Sequence, residues 1–382
     1  MRAHVIRQSG VALIAALLLM TSIMFILGNI FYRHQINIAQ STLSIHQDQA
    51  YLLALSAESW SRQLLKEDAA DSKADHFGEL WAQAIPAMPV EGGVINGCIS
   101  DLQGRFNLNS LYYKSPAELK NALSGNGTSF AKAWNNLLRY FDMPVYPGRI
   151  EAVVDWIDPN TTKVGPDGAE REEYASFYPP RTIADAAMVE PSELASVLGY
   201  EVFEVQRLMP WLTALPLPKI IAGQPTQPVV ININTASEEL LLALGNIYDM
   251  QFRDAVIANR PFETLNEFHM ALQGELGLTI GEIEQWWPKS VVGVASQYFE
   301  LYIEVTLGEA RIEVRSIIMR RSNADSVIIS RELTTVPAKM NKDSVTELLE
   351  KLTTGNNKGS DKNENSTFDD QQVLPACAMI GA

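Results

Sequence analysis

Cysteine is almost missing from this chain of 382 residues: Cys98 and Cys377 are the only two. Cysteines so far apart make neither a zinc motif nor a disulfide framework, and they leave open a single bridge in an oxidising compartment. Histidine is scarce as well. The five, at positions 4, 34, 46, 76 and 269, form no HExxH pattern, and no Ser/His/Asp or Cys/His arrangement emerges around them. Positive charge is the third shortage, with 30 Lys and Arg against 45 Asp and Glu for a formal net charge of -15. A surface of that sign repels nucleic acid and anionic lipid, and offers many hard oxygen ligands to cations. The length is about twice that of a usual domain, which calls for two cores or one core with an inserted unit.

Against these shortages stands one long apolar run. From Val11 to Tyr32, VALIAALLLMTSIMFILGNIFY, no residue is charged, and as a helix the run spans roughly a 30 Å hydrocarbon core. Arg2 and Arg7 precede it and Arg33 follows, a weak positive-inside bias that puts the short N-terminus in the cytoplasm. A secretory signal is the alternative, but it would end at a small-x-small site that Leu27-Gly28-Asn29-Ile30 does not supply. Beyond the run, Leu43, Ala50, Leu53, Ala57, Trp60 and Leu64 recur at helical spacing, with Gln47, Asp48, Glu58, Arg62 and Lys66 largely off that stripe. This predicts an amphipathic half-helix docked on a sheet; a free-standing coiled coil needs a longer heptad run.

The segment Gly93 to Leu111 mixes β-branched residues with turn signals and reads as a hairpin or pair of short strands. From about Lys114 to Lys289 the pattern turns helical, with capping boxes at Ser115–Glu118, Thr235–Glu238, Thr264–Glu267 and Thr279–Glu282. Pro210 to Pro228 reads as a proline-rich linker. After Lys289 long strands follow, with turns near Gly308-Glu309 and Ser322 to Asp325. Gly355 to Gln372 is polar and reads as a disordered tail. The order strand, helices, strands points to an α+β chain with an inserted helical domain.

Three segments could carry chemistry. Asp155, Asp158, Asp167, Glu170, Glu172 and Glu173 crowd the stretch DWIDPNTTKVGPDGAEREEY, where carboxylates on a turn either surround a cation such as calcium or are simply solvated. The spacing is not that of an EF-hand. The same carboxylates, with Trp156, Tyr174, Phe177 and Tyr178 nearby, could serve a membrane-tethered glycoside hydrolase as an acid/base pair, although aromatics so placed are more often core. Ile231 to Phe268 resembles a helix-hairpin-helix repeat of the DNA-uptake type, which would make a DNA-binding pilin subunit. However, its hairpin Gly245-Asn246-Ile247-Tyr248 lacks a second glycine, and nine acids face two bases from Ile231 to Gln285. Leu240, Leu241, Leu244, Ile247, Phe252, Val256, Ile257 and Phe268 are better read as a small helical core, and Asn107, Asn109, Asn232 and Asn234 as local backbone bonds at corners.

The leader MRAHVIRQSG, ending at Gly10 just before the apolar run, is similar to that of type IV prepilins. With it, Ala15, Phe106 to Leu111 (FNLNSL), Asp155-Trp156-Ile157-Asp158 and Ile231 to Ala236 (ININTA) resemble, in order and spacing, the minor pseudopilin K family of type II secretion. The resemblance implies cleavage between Gly10 and Val11 by the prepilin peptidase, methylation of Val11, and a type IV pilin-like fold interrupted by a large all-α domain. It divides the chain into leader 1–10, transmembrane helix 11–33, pilin-like part 34–112, inserted domain 113–288 with the hairpin segment at 231–270, terminal sheet 289–337 and tail 338–382. It implies no enzymatic activity and no nucleic acid partner. Ala15 stands where most pilins carry a glutamate that pairs with the amine of the subunit ahead, which implies a place at the pseudopilus tip. The implied partners are the minor pseudopilins of the I and J types, the major pseudopilin, the inner-membrane secretion platform and exported substrates. The implied location is the inner membrane, crossed once, with the C-terminal part in the periplasm. Calcium is the implied cofactor: Asp155 and Asp158 match the family's paired aspartates, Glu170 and Glu173 its acidic run before Tyr174, and Asp185 stands where the family usually has asparagine.

Overall fold

The computed structural model describes residues 11–83, 85–217, 228–322 and 325–336. The leader with Gly10, the middle of the proline-rich linker, the tail from residue 338 and Cys377 lie outside the described residues, and so does the pairing of the two cysteines that the sequence left open.

Helix α1, Val11–Asp71, runs unbroken for 61 residues, about 90 Å at 1.5 Å per residue. Its first half exposes Leu17, Phe25 and Phe31, and among the described residues it is the one helix long and apolar enough to cross a membrane. Its second half lies on a sheet, with Ala50, Ala54, Leu64 and Leu65 buried against Ile99, Leu301, Ile303 and Val314. The expected stripe is rotated. Leu43 and Trp60 are exposed, whereas Glu58, expected on the polar face, is only 4% exposed. Arg331 reaches Glu58 at 2.6 Å and Ser316 donates to it at 2.7 Å; a carboxylate paired this way can occupy a helix face that an unpaired one could not.

The sheet contains β1 (Ile85–Val90), β2 (Gly93–Asp101) and, after a long interval, β7 (Tyr298–Leu307), β8 (Ala310–Ser322) and β9 (Asp325–Val336), in the spatial order β1-β2-β7-β8-β9, antiparallel throughout. Continuous pairing from Gly93 opposite Leu307 to Asp101 opposite Phe299 makes β2 and β7 neighbours, so everything between them is an insertion into one sheet. Gly308, at φ 56, turns β7 into β8 where a side chain would be strained.

Among the described residues between β2 and β7 the chain forms two-residue strands β3 (Phe106–Asn107), β4 (Leu212–Thr213), β5 (Ile231–Asn232) and β6 (Val292–Gly293), and nine α-helices. The helices are α2 (Pro116–Ser124), α3 (Phe130–Tyr140), α4 (Pro147–Ile157), α5 (Arg171–Ala175), α6 (Val202–Leu208), α7 (Glu238–Leu244), α8 (Gln251–Asn259), α9 (Leu265–Leu276) and α10 (Ile280–Trp286). They share one core, from Phe106 and Trp134 to Leu241, Phe268 and Val292, separate from the core beneath α1. Ser115, Thr264 and Thr279 cap helix starts as expected. Thr235 does not: Ser237 caps α7, and the Thr235 hydroxyl is drawn off to Asp101 at 2.6 Å.

Candidate functional site

The acidic stretch is built around the end of α4. Asp155 sits fully buried on its last turn, and Asp158, extended ahead of Pro159, ends the helix because a residue before proline is disfavoured in helical geometry. Asp158 accepts from the Asn160 amide at 3.0 Å. The loop then folds back over the helix: Asp155 Oδ1 accepts from Val164 N at 2.8 Å, and Glu151 Oε2 from Asp167 N at 2.8 Å. At Gly168 a Cβ would lie 2.2 Å from Asp155 Oδ2, so only glycine lets the loop pass this close. Asp185, at φ 47, arrives from a third segment, anchored where Ala186 N donates to Trp156 O.

Of the five expected ligands, three are nearly or wholly buried: Asp155, Asp158 and Glu170. Four oxygens are buried without any hydrogen-bond donor, namely Asp155 Oδ2, both Glu170 oxygens and Asp185 Oδ1. Burial, reinforced by the charges of Asp155, Asp158, Asp185 and Glu173, pushes Glu170 up to about 7. Burial likewise raises Asp155 to about 6, against amide hydrogen bonds that pull it down, and raises Asp158. Glu173 differs. Its oxygens are engaged by Lys163 at 2.5 Å and by the Glu170 amide at 2.9 Å, and the hydrogen bond from Lys163 helps hold it below the usual range. Asp167 and Glu172 point to solvent. Trp156, Tyr174 and Phe177 pack on one another, with Trp156 and Tyr174 buried. Trp156 and Tyr174 are core, whereas Phe177 is half-buried and Tyr178 fully exposed.

Among the described residues another group of carboxylates converges elsewhere. Asp68, Asp75 and Glu79 each bring an oxygen within 4.8 Å of the others, and Arg320 pairs with two of them, at 2.6 Å from Asp75 and 3.3 Å from Asp68. This group belongs to a buried junction between sheet and insertion that the sequence did not announce. Asp101, at the end of β2, accepts from Thr235 and Ser296 hydroxyls at 2.6 Å and from Asn232 at 3.0 Å. Burial raises its pKa against those donors. Asn232 also bonds Asp75 O and Ser296 Oγ, and Ser296 N bonds Asp75. In the hairpin segment Leu240, Leu241, Leu244, Phe252, Val256 and Phe268 are buried, while Ile257 is 40% exposed and Tyr248 85%. Six of the eight residues expected in a small helical core are therefore buried, and Ile247 is half-buried.

The model of the type II secretion system protein K family matches residues 104–217, which contain the acidic loop. A type II secretion system protein K from Pectobacterium carotovorum subsp. carotovorum is 30% identical over 322 residues, covering 82% of this chain and 92% of the relative. The chain belongs to the type II secretion system protein K family. The Aeromonas hydrophila protein K is 29% identical over 336 residues, 85% of this chain and 97% of that one. A chain of the solved GspK-GspI-GspJ complex from enterotoxigenic Escherichia coli shares the fold at a TM-score of 0.63 and 24% identity, over 77% of this chain and 99% of that one. As a protein K, the chain has the role of a minor pseudopilin in type II secretion, and among the described residues the apolar half of α1 is the one segment long and apolar enough to anchor it in a membrane.

Proposed function

We propose that this protein K sits at the tip of the pseudopilus, where it starts or caps assembly with minor pseudopilins of the I and J kinds. The position of the insertion carries the reading. Gly308, at one end of the sheet, lies beside His46 on α1. Arg320, at the other end, bonds Leu65 O and Asp68 near the helix terminus. The junction through Asp75, Asp101 and Ser296 is at that second end, farthest along α1 from its apolar half. A bulky unit there stands in the path of any subunit stacked ahead, which a tip tolerates and a repeating shaft does not. Ala15 supports the same place, since a subunit with none ahead needs no carboxylate in the apolar helix. In this reading the chain is anchored in the inner membrane by α1's apolar half, is cleaved after Gly10 and methylated at Val11, and has everything beyond that half in the periplasm, with the major pseudopilin and secretion platform acting below it. Gold labelling of the inserted unit on isolated pseudopili tests this: label at filament ends supports it, and label spaced along the shaft overturns it.

Calcium is the second part of the proposal. Asp155, Asp158, Glu170 and Asp185 would hold the ion, with Glu173 and Lys163 bracing the Glu170 amide. Support comes from the buried oxygens of Asp155, Glu170 and Asp185 that accept nothing, since buried carboxylates are normally satisfied and hard oxygen donors on three converging segments suit a hard cation. The ion would neutralise the repulsion among them and tie the loop and the Asp185 segment to α4.

A further inference from the structure

We infer that the junction between sheet and insertion is a proton-operated latch: a proton shared between Asp68 and Glu79 holds it closed, and loss of that proton opens it locally. Four carboxylates meet there, from the end of α1 (Asp68), the segment after it (Asp75 and Glu79) and the end of β2 (Asp101). Among the described residues the one cation bonded to any of them is Arg320 on β8, which pairs with Asp68 and Asp75. Donors serve most of the oxygens. Asp75 accepts from Arg320 and Ser296 N, and Asp101 from Gln103 N, Asn232, Thr235 and Ser296. Glu79 Oε2 accepts from His76 N at 3.0 Å and Trp81 Nε1 at 2.7 Å, but Glu79 Oε1 is buried and accepts nothing. Asp68 is the least supported acid, its carboxylate accepting only from Arg320 at 3.3 Å. Once protonated, Asp68 supplies the donor that Glu79 lacks and removes one unbalanced buried charge.

A cleft lined by Asp71, Lys73, His76 and Glu263 opens onto Asp68 and Glu79 and gives water a path to the proton. Asp71 and Glu263 add negative charge around it, and Lys73 is the one fixed positive charge on its rim. Burial, with the charges of Glu79 and Asp75, pushes Asp68 up to about 7 against the pull of Arg320. The closed junction is therefore favoured in mild acid and loses that support as pH rises through about 7. The consequence falls on the segment carrying Asp75. Asn232 holds its carbonyl, Val294 its amide and Ser296 its carboxylate, so repulsion from an ionised Asp68 and Glu79 acts where the insertion grips the end of α1.

The test is hydrogen exchange of the full chain in detergent and chelator, comparing wild type with Asp68→Asn at pH 5.5 and at pH 8, so that intrinsic exchange rates cancel. The Asn amide imitates the protonated acid and can donate to Glu79. For peptides containing Asp75, Asn232 and Ser296, the excess exchange of wild type over the variant should grow on the order of tenfold between the two pH values. In wild type at pH 8 these peptides should exchange well before those of α3 and α7. An excess that does not change with pH, or junction peptides that exchange only together with α3 and α7, would overturn the inference. If Asp68→Asn does not fold, Glu79→Gln decides: its own rise in junction exchange with pH should be smaller than that of wild type, and an undiminished rise counts against the latch. Full restoration of wild-type protection by calcium at pH 8 would overturn it too, since the cluster would then hold a cation in place of a proton.

Discussion

The acidic loop makes a prediction that needs two variables at once, calcium and pH. Without a cation, Glu170 titrates near 7 instead of 4.5 and Asp155 near 6 instead of 3.8. Between about pH 4 and 7 the folded state therefore binds more protons than the unfolded one, so stability falls as pH rises. The penalty is absent below the unfolded values and complete above about 7. At about 1.4 kcal/mol for each pKa unit, Glu170 alone would account for about 3 kcal/mol, and water access to the loop reduces this to on the order of 2 kcal/mol. Calcium should reverse the trend, because as proposed it would bind the deprotonated carboxylates with an affinity that rises through the same window.

Glu170→Gln separates this effect from others. Asp68 and Asp75 also titrate high, near 7 and 6, and drag stability down over the same range whether calcium is present or not. The substitution removes one buried charge while keeping the side chain's shape. At pH 8 in chelator the variant should melt above wild type by about 4–8 °C, the shift that roughly 2 kcal/mol gives a unit of this size. In calcium the order should reverse, with the variant gaining less. Scanning calorimetry of the full chain in detergent at pH 5 and 8, with calcium and with chelator, gives all eight curves. If wild type and variant superimpose in chelator at pH 8, Glu170 is not held as an uncompensated charge and the reasoning fails.

Three other outcomes are expected. Peptide mass spectrometry of the membrane form should find Val11, methylated, as the N-terminus; a terminus near residue 30 would mean a cleaved secretory signal instead. Arg331→Met should destabilise by about 1–3 kcal/mol, less than a fully buried pair because Arg331 is partly exposed, and adding Glu58→Gln should recover much of the loss in the same denaturation assay. Ala15→Glu should leave secretion unchanged or lowered and keep the protein at filament ends; a variant that enters the shaft would sink the charge argument.

The sequence was legible where one residue's environment depends on its near neighbours. The apolar run of α1, the long strands after Lys289 and the helix caps at Ser115, Thr264 and Thr279 are local patterns, and all three could be read in order. It failed where a distant group reassigns a residue. Glu58 reads as a solvent-facing acid until Arg331, 273 positions away, and Ser316 supply its partners. Thr235 reads as a helix cap until Asp101 takes its hydroxyl. Asn107 and Asn232 do make the local bonds expected, to Asn109 N and Asn234 N, but each also clamps a remote segment.

The acidic loop lies between these cases. Its residue types could be chosen from composition and resemblance, but the identity of the free oxygens could not, because it depends on how Val164 N and Gly168 bring the loop back across α4. Glu173 illustrates the consequence. By sequence it is equivalent to Glu170, yet Lys163 and the Glu170 amide occupy its oxygens, while those of Glu170 are left bare. One residue of the pair therefore carries the strain that a cation would relieve, and the other fixes the backbone that aims it. It follows that Glu173→Gln should lower calcium affinity far less than Glu170→Gln, because it removes a brace and not a ligand. Equal losses measured by calorimetric titration would show that the two acids share the ion.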